Sequence, residues 1–172
     1  MCSPFSKHIA LMRQALVFAK NAFETTPCGM DEVPVGAVLV DQKTDKILHA
    51  CHNRTKAYQS PLAHAEIQAL EIGMQQKGAP FLTDCTLYVT LEPCPLCAAA
   101  LSFARIGQVV FGAFNPKGGA IVHGPRLFES PSLSYHPPVI GGVLETECAA
   151  LLKRFFRQKR GAATPNTEDA DI

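Results

Sequence analysis

The segments His64-Ala65-Glu66 and Pro93-Cys94-Pro95-Leu96-Cys97, separated by 26 residues, constrain the fold of this chain most strongly. A histidine nitrogen and two thiolates can fill three of the four tetrahedral positions of Zn²⁺, and a catalytic zinc keeps the fourth for water. For the three side chains to share one ion, the fold must bring two distant segments to one point. Glu66, two residues from the histidine, is then free to move protons. Other readings need other residues. A structural zinc requires a fourth protein ligand, for which Cys51, Cys85, His49, His52 and His123 are the candidates, none in a second Cys-x-x-Cys. His49 and His52 are three apart in a predicted strand, so their side chains point to opposite faces. A redox Cys-x-x-Cys pair leaves His64-x-Glu66 without a purpose. One Zn²⁺ per chain on His64, Cys94 and Cys97, with Glu66 as acid and base, uses all four residues.

Composition sets the frame. At 172 residues and 47% apolar content, the chain suits one domain with a packed core. That domain is expected over 1–160, followed by a disordered tail, 161–172, which holds Glu168, Asp169 and Asp171 and no base. No apolar run is long enough to span a membrane. Ile9 to Phe23 is interrupted by Arg13, Gln14 and Lys20 and reads as an amphipathic helix, not a signal peptide. Seven unevenly spaced cysteines argue for a reducing cytoplasm. Net charge is only +1, but residues 1–160 carry 16 basic and 12 acidic side chains, a net of +4. Five of the bases lie between Lys153 and Arg160, interleaved with Phe155 and Phe156. Such a cluster suits phosphates and bases. On charge alone, a solvated helix face is the plainer reading.

Apolar periodicity predicts a helix over Ser6–Glu24, a loop over Thr26–Asp31, and a hairpin of Val35–Val40 and Lys46–His52. A polar loop, Asn53–Pro61, precedes a second helix from about Ala63 to Gly78. Thr86–Thr90 and Gln108–Gly112 are strands on either side of a helix from Cys94 to about Arg105, and the crossover rule makes them parallel. Ala113–Pro138 is a long Gly- and Pro-rich stretch, expected to be functional or disordered. Val139-Ile140 adds a short strand, and a last helix covers about Leu144–Gln158. The sum is an α/β fold: a three-layer α/β/α domain around a mixed five-stranded sheet. Both halves of the metal motif fall at helix starts, where free N–H groups and the helix dipole stabilise thiolates. His64 and Glu66 are about half a turn too far apart to share a helix face. They serve one pocket only if the first turn points into it.

The motif and its surroundings resemble the bacterial tRNA-specific adenosine deaminases, a branch of the cytidine-deaminase superfamily, over roughly Phe5 to Arg160. The stretches that carry this are Glu32-Val-Pro-Val-Gly-Ala-Val-Leu-Val40, Ala63-His-Ala-Glu-Ile67, Thr86-Leu-Tyr-Val-Thr-Leu-Glu-Pro-Cys94, Ala104-Arg-Ile106, Val109-Val-Phe-Gly-Ala113 and Leu151-Leu-Lys-Arg-Phe-Phe-Arg157. The His-x-Glu…Pro-Cys-x-x-Cys signature is common to zinc nucleobase deaminases. The Glu-Val-Pro-Val-Gly start and the Phe-Phe-Arg segment are more particular to the tRNA branch. The resemblance implies a cytidine-deaminase-like fold, a cytoplasmic homodimer, and conversion of adenosine to inosine at the wobble position of an arginine tRNA anticodon. It implies substrate contacts at Asn53, Ala65, Asn115, Lys117, Phe156 and Arg157, with Asn53 reading the purine and Phe156 and Arg157 touching the anticodon loop. Two departures stand out. Asn115 replaces the usual Asp of the Gly-Ala-x-Asp-x-Lys loop, and Gly118–Pro138 differs throughout. An amide at 115 keeps one acceptor and loses the charge, which predicts weaker selection of ribose over deoxyribose, unless Asn115 only shapes the turn before Pro116.

Two rival functions remain at this point. One is a small-molecule deaminase acting on free guanine, cytosine or a nucleoside. It needs no RNA and is indifferent to the basic helix. The other is a non-catalytic partner subunit, which has no use for Glu66.

Overall fold

The computed structural model of the chain describes residues 4–24 and 32–162. Helix α1, Pro4–Glu24, is followed by strands β1, Gly36–Asp41, and β2, Ile47–His52. Then come α2, Ala65–Lys77, β3, Cys85–Leu91, α3, Pro95–Phe103, and β4, Gln108–Ala113. The two-residue β5, Val139–Ile140, leads to α4, Glu145–Ala162. The sheet order is β2-β1-β3-β4-β5. β1 pairs antiparallel with both β2 and β3, whereas β3–β4 and β4–β5 are parallel. This is the expected mixed sheet, with the hairpin and the crossover where patterning put them.

Every residue of β1 is buried, which is why its sequence is a continuous apolar run and not an alternation. Alternate residues serve two cores. Leu39, Leu87, Val89, Val109 and Phe111 pack in one cluster with Leu70 of α2 and Leu101 of α3. Val38, Val40, Tyr88 and Val110 pack in the other with Met12 and Leu16 of α1 and Leu151 of α4. Gly36 lets α1 press onto the sheet: a Cβ there would lie 2.1 Å from the Ala15 carbonyl oxygen.

The topology fixes where a site can form. Parallel β3 and β4 end at one edge of the sheet, and antiparallel β1 begins there, with Ala37 opposite Val89. β2 ends there too, with His52 opposite Gly36. The segments leaving these four strand ends are 32–35, 53–64, 92–94 and 114–119. Ligands of open α/β sheets bind at such carboxyl edges.

Some boundaries differ from expectation. α2 begins at Ala65 and not Ala63, with consequences given below. α4 runs on to Ala162, past the expected end at Gln158. The stretch 113–138 has structure of its own. It contains a 3₁₀ turn, Leu127–Glu129, and buries Ala120 and Ile121, while Leu127 and Phe128 pack on the core. The predicted loop Thr26–Asp31 and tail residues 163–172 lie outside the described residues. Among those described, no helix is long and apolar enough to cross a membrane.

Candidate active site

His64 is the N-cap of α2, with extended backbone at φ −71° and ψ 150°. Cys94 is the N-cap of α3, at φ −72° and ψ 171°, and Pro95 follows in the first helical turn, where its missing N–H costs no bond. The extended backbone at His64 resolves the spacing problem. His64 lies outside the helix and Glu66 at its second position, so the half-turn mismatch never arises. The His64 side chain makes no capping bond to its own helix, which leaves the imidazole for other work.

His64 Nδ1 lies 3.6 Å from Cys94 Sγ and 3.3 Å from Cys97 Sγ. Nitrogen and sulfur ligands at zinc bond lengths and tetrahedral angles are about 3.6 Å apart, so the donor set fits the ion. Among the described residues, these three side chains alone form such a group. None of the five candidates for a fourth ligand, His49 included, joins this group, and the other four are bonded elsewhere. Cys51 Sγ donates to the Ala65 carbonyl at 3.2 Å, and Cys85 Sγ lies 3.6 Å from an Asp84 carboxylate oxygen. His52 Nδ1 is 2.8 Å from the Asn53 carbonyl oxygen, and His123 Nδ1 is 2.7 Å from Glu92 Oε2. The hydrogen bond from the Cys97 thiol, aided by His64, holds Cys94 as a thiolate with a pKa of about 4. The same bond, with burial, pushes the Cys97 thiol up. His64 is raised, first by its hydrogen bond to Cys94. The three groups share protons that a bound cation displaces.

Glu66 is buried, at 4% exposure. Burial raises its pKa and the Cys94 charge adds to the rise, while His64 partly opposes it. A cavity of ≈ 300 Å³ opens onto His64, Glu66 and Cys94. Val33, Val35 and Leu91 give it apolar surface; Asn53 and Thr55 come from one loop, and Asn115 and Gly118 from another. Two larger clefts, each ≈ 520 Å³, lie between α1 and α4 and beside edge strand β2, and neither contains the metal-ligand group.

The remaining candidates divide. Asn53 Oδ1 accepts the Ala65 N–H at 2.9 Å, and its Nδ2 donates to the Val33 carbonyl at 3.2 Å. One amide hydrogen is left for a ligand. Ala65 is fully buried, with its N–H on Asn53 and its carbonyl taken by Cys51. Asn115 lines the cavity, but its Oδ1 accepts the Gly118 N–H at 3.0 Å and its carbonyl the Gly119 N–H at 2.8 Å. Turn formation thus fills one lone pair of the Oδ1 oxygen and leaves the other for a ligand. Lys117 is exposed on that turn, outside the cavity lining. Phe156 and Arg157 are exposed on α4 and do not reach the cavity either; Phe156 stacks edge-on against the buried Phe155.

Sequence reasoning passed over Glu32 and Glu92, both buried and both bonded to the loops around the cavity. The available signal was a carboxylate set directly against apolar residues, in Glu32-Val-Pro-Val and in Leu91-Glu92-Pro93.

Residues 5–113 match the family model of the cytidine and deoxycytidylate deaminase zinc-binding region. The tRNA-specific adenosine deaminase of Agrobacterium fabrum is 44% identical over 149 residues, 87% of this chain and 93% of the relative. That of Bacillus subtilis is 40% identical over 161 residues, 92% of this chain and 96% of the relative. A solved structure from work on A-to-I editing by tRNA:A34 deaminases at the wobble position of transfer RNA superimposes with a TM-score of 0.77. Its identity is 42%, and the match covers 83% of this chain and 98% of that one. With a His-Cys-Cys group and a buried glutamate at the edge of this sheet, the chain belongs to the cytidine and deoxycytidylate deaminase family, in the branch of the tRNA-specific adenosine deaminases.

Proposed function

We propose that this chain hydrolyses adenosine to inosine at the wobble position of a tRNA anticodon, in an arginine tRNA with the anticodon ACG. One observation carries the chemistry: His64 and Cys94 of a His-Cys-Cys donor set, together with the buried carboxyl of Glu66, line one cavity of ≈ 300 Å³. That is the small end of ligand pockets, room for one nucleoside and none for a duplex. His64, Cys94 and Cys97 would hold one Zn²⁺. Bound there, zinc supplies the Lewis acidity that makes water nucleophilic near neutral pH.

The chain's own residues do the rest. Glu66 accepts a proton from the attacking water and returns it to N1 of the purine. It then carries the second water proton to the departing amino group. A C6–O bond forms, the C6–N bond breaks, and ammonia leaves. Asn53 offers its remaining amide hydrogen to the ring. A loop base is already splayed, so little pairing is lost on entry. Ammonia release from an anticodon stem-loop, compared with free adenosine and free guanine, tests the substrate. The stem-loop is expected to be preferred in kcat/KM by about 10² or more, as for a ligand held by several added contacts. Equal or faster turnover of guanine would favour the small-molecule rival.

Support for RNA contact comes from α4. Leu151 and Phe155 are buried, whereas Lys153, Phe156, Arg157 and Arg160 face outward. Truncation before Phe155 would therefore open the core, and a surface change is the cleaner probe. Arg157→Ala with Arg160→Ala is expected to weaken tRNA binding and to reduce the slope of log K against log salt by about one per lost phosphate contact. Unchanged affinity across salt would leave the helix as a solvated face.

A homodimer and a cytoplasmic location belong to the same reading. Helix α3 exposes Phe103 at 70% and Leu96 at 40%, and Phe103 borders a ≈ 350 Å³ groove between α2 and α3 that Leu70 and Ala100 line. These exposed apolar side chains support a contact with a second copy. Sedimentation equilibrium is expected to give twice the chain mass, and a monomer at micromolar concentration would reject the dimer.

A further inference from the structure

The two loops that wall the cavity are each held by one buried carboxylate. Glu32, 2% exposed, accepts the N–H groups of Lys56 and Ala57 at Oε1, at 2.7 and 2.9 Å, and the Thr55 hydroxyl at Oε2, at 2.8 Å. Glu92, 1% exposed, accepts the N–H groups of Ile121, Val122 and His123 at Oε1, at 3.2, 2.8 and 2.9 Å. Its Oε2 accepts the Asn115 N–H at 2.9 Å and lies 2.7 Å from His123 Nδ1. Burying a carboxylate is costly unless its lone pairs are filled, and here loop donors fill them. Neither glutamate belongs to the metal-ligand group. The loop 115–123 is tied to the α3 entry a second time, by the Ala120 N–H on the Pro93 carbonyl at 2.9 Å. Gly119 permits the approach: a Cβ there would lie 2.5 Å from Glu92 Cδ.

We propose that Glu32 and Glu92 are positioning residues that set the two walls of the nucleotide pocket, Glu32 through 53–57 and Glu92 through 115–123. This rests on the reading that the cavity receives the target nucleotide. The hydrogen-bond pattern makes the two sites unequal in what they tolerate. Glutamine at 32 keeps an oxygen for the two N–H groups and turns its amide nitrogen to Thr55, whose hydroxyl can accept as well as donate. Glutamine at 92 has no such solution. With its nitrogen at the Oε2 position it meets the Asn115 N–H; at the Oε1 position it meets three N–H groups. His123 can change tautomer, but a backbone N–H cannot become an acceptor.

The experiment uses full-length Glu32→Gln, Glu32→Ala and Glu92→Gln. Kinetics on an anticodon stem-loop are normalised to bound zinc, and amide hydrogen exchange is followed over 55–57 and 115–123. Glu92→Gln and Glu32→Ala are expected to raise KM about tenfold or more, with a smaller change in kcat per zinc, and each to lose protection in its own loop alone. Glu32→Gln is expected to stay within about threefold of wild type in both respects. The proposal is overturned if Glu92→Gln keeps wild-type KM and protection, if it lowers kcat and melting temperature without moving KM, or if Glu32→Gln is as damaging as Glu32→Ala. Should Glu32→Ala not fold, the two glutamine variants decide. If wild type does not deaminate the stem-loop, the functional reading fails, and the exchange pattern still judges the loop anchors.

Discussion

Glu66→Gln is expected to bind zinc and fold as wild type does, yet lose about 10²- to 10⁴-fold in kcat. The glutamine has the same shape in the same buried position, so packing around α2 is kept. It cannot take a proton from water or return one to the ring. In the proposed reaction both transfers fall to this one side chain: His64 is turned to the thiol pair, and among the described residues no other carboxylate but Glu92 lines the cavity. Glu92 already accepts five hydrogen bonds from the loop 115–123 and is not available as a base. Metal analysis and ammonia release on the same preparation check this. Turnover within tenfold of wild type at full zinc content would remove Glu66 from the acid–base role.

Cys97→Ala has the next largest expected effect. Cys97 is fully buried, with Sγ 3.3 Å from His64 Nδ1, and would supply one of the three proposed protein ligands. Two remaining ligands do not hold zinc against a weak chelator, so bound metal is expected to fall from about one per chain to less than about a tenth of that, and activity with it. Cys51→Ala serves as the control for loss of a buried thiol, because Cys51 bonds the Ala65 carbonyl and stands outside the metal group. Its zinc is expected to stay. Full occupancy in Cys97→Ala, with far-UV circular dichroism unchanged, would mean that the ion sits on other ligands.

The convergence of His64, Cys94 and Cys97 was legible in the sequence because ligand chemistry limits the residue types and a helix turn limits their spacing. The strands were legible for a similar reason: Val35–Val40 is buried on both faces, and only a sheet covered on both sides produces such a run. The start of α2 was not. Apolar periodicity cannot separate a helix residue from its cap, and the two-residue shift to Ala65 is what allows His64 and Glu66 to face one cavity. Nor was the order within 113–138. It depends on Glu92, more than twenty residues earlier, which gathers N–H groups that no local pattern reveals. Asn115 shows the same limit in reverse. The sequence left a sugar contact and a turn as alternatives; the Gly118 N–H on its oxygen shows the turn, and the second lone pair stays open to a ligand. In Phe155-Phe156, composition gave two equivalent aromatics; packing against Phe23 buries only the first.

Position-specific inosine formation tests the central claim most directly. The zinc-loaded chain, the metal-free chain and Glu66→Gln are each incubated with arginine tRNA bearing the anticodon ACG, and the product is digested and mapped by mass spectrometry. The account predicts inosine at the wobble position alone, from the zinc-loaded wild-type chain alone, with one ammonia released per inosine. Unmodified tRNA alongside ammonia from free guanine or adenosine, or inosine made equally well by metal-free protein or by Glu66→Gln, would contradict it.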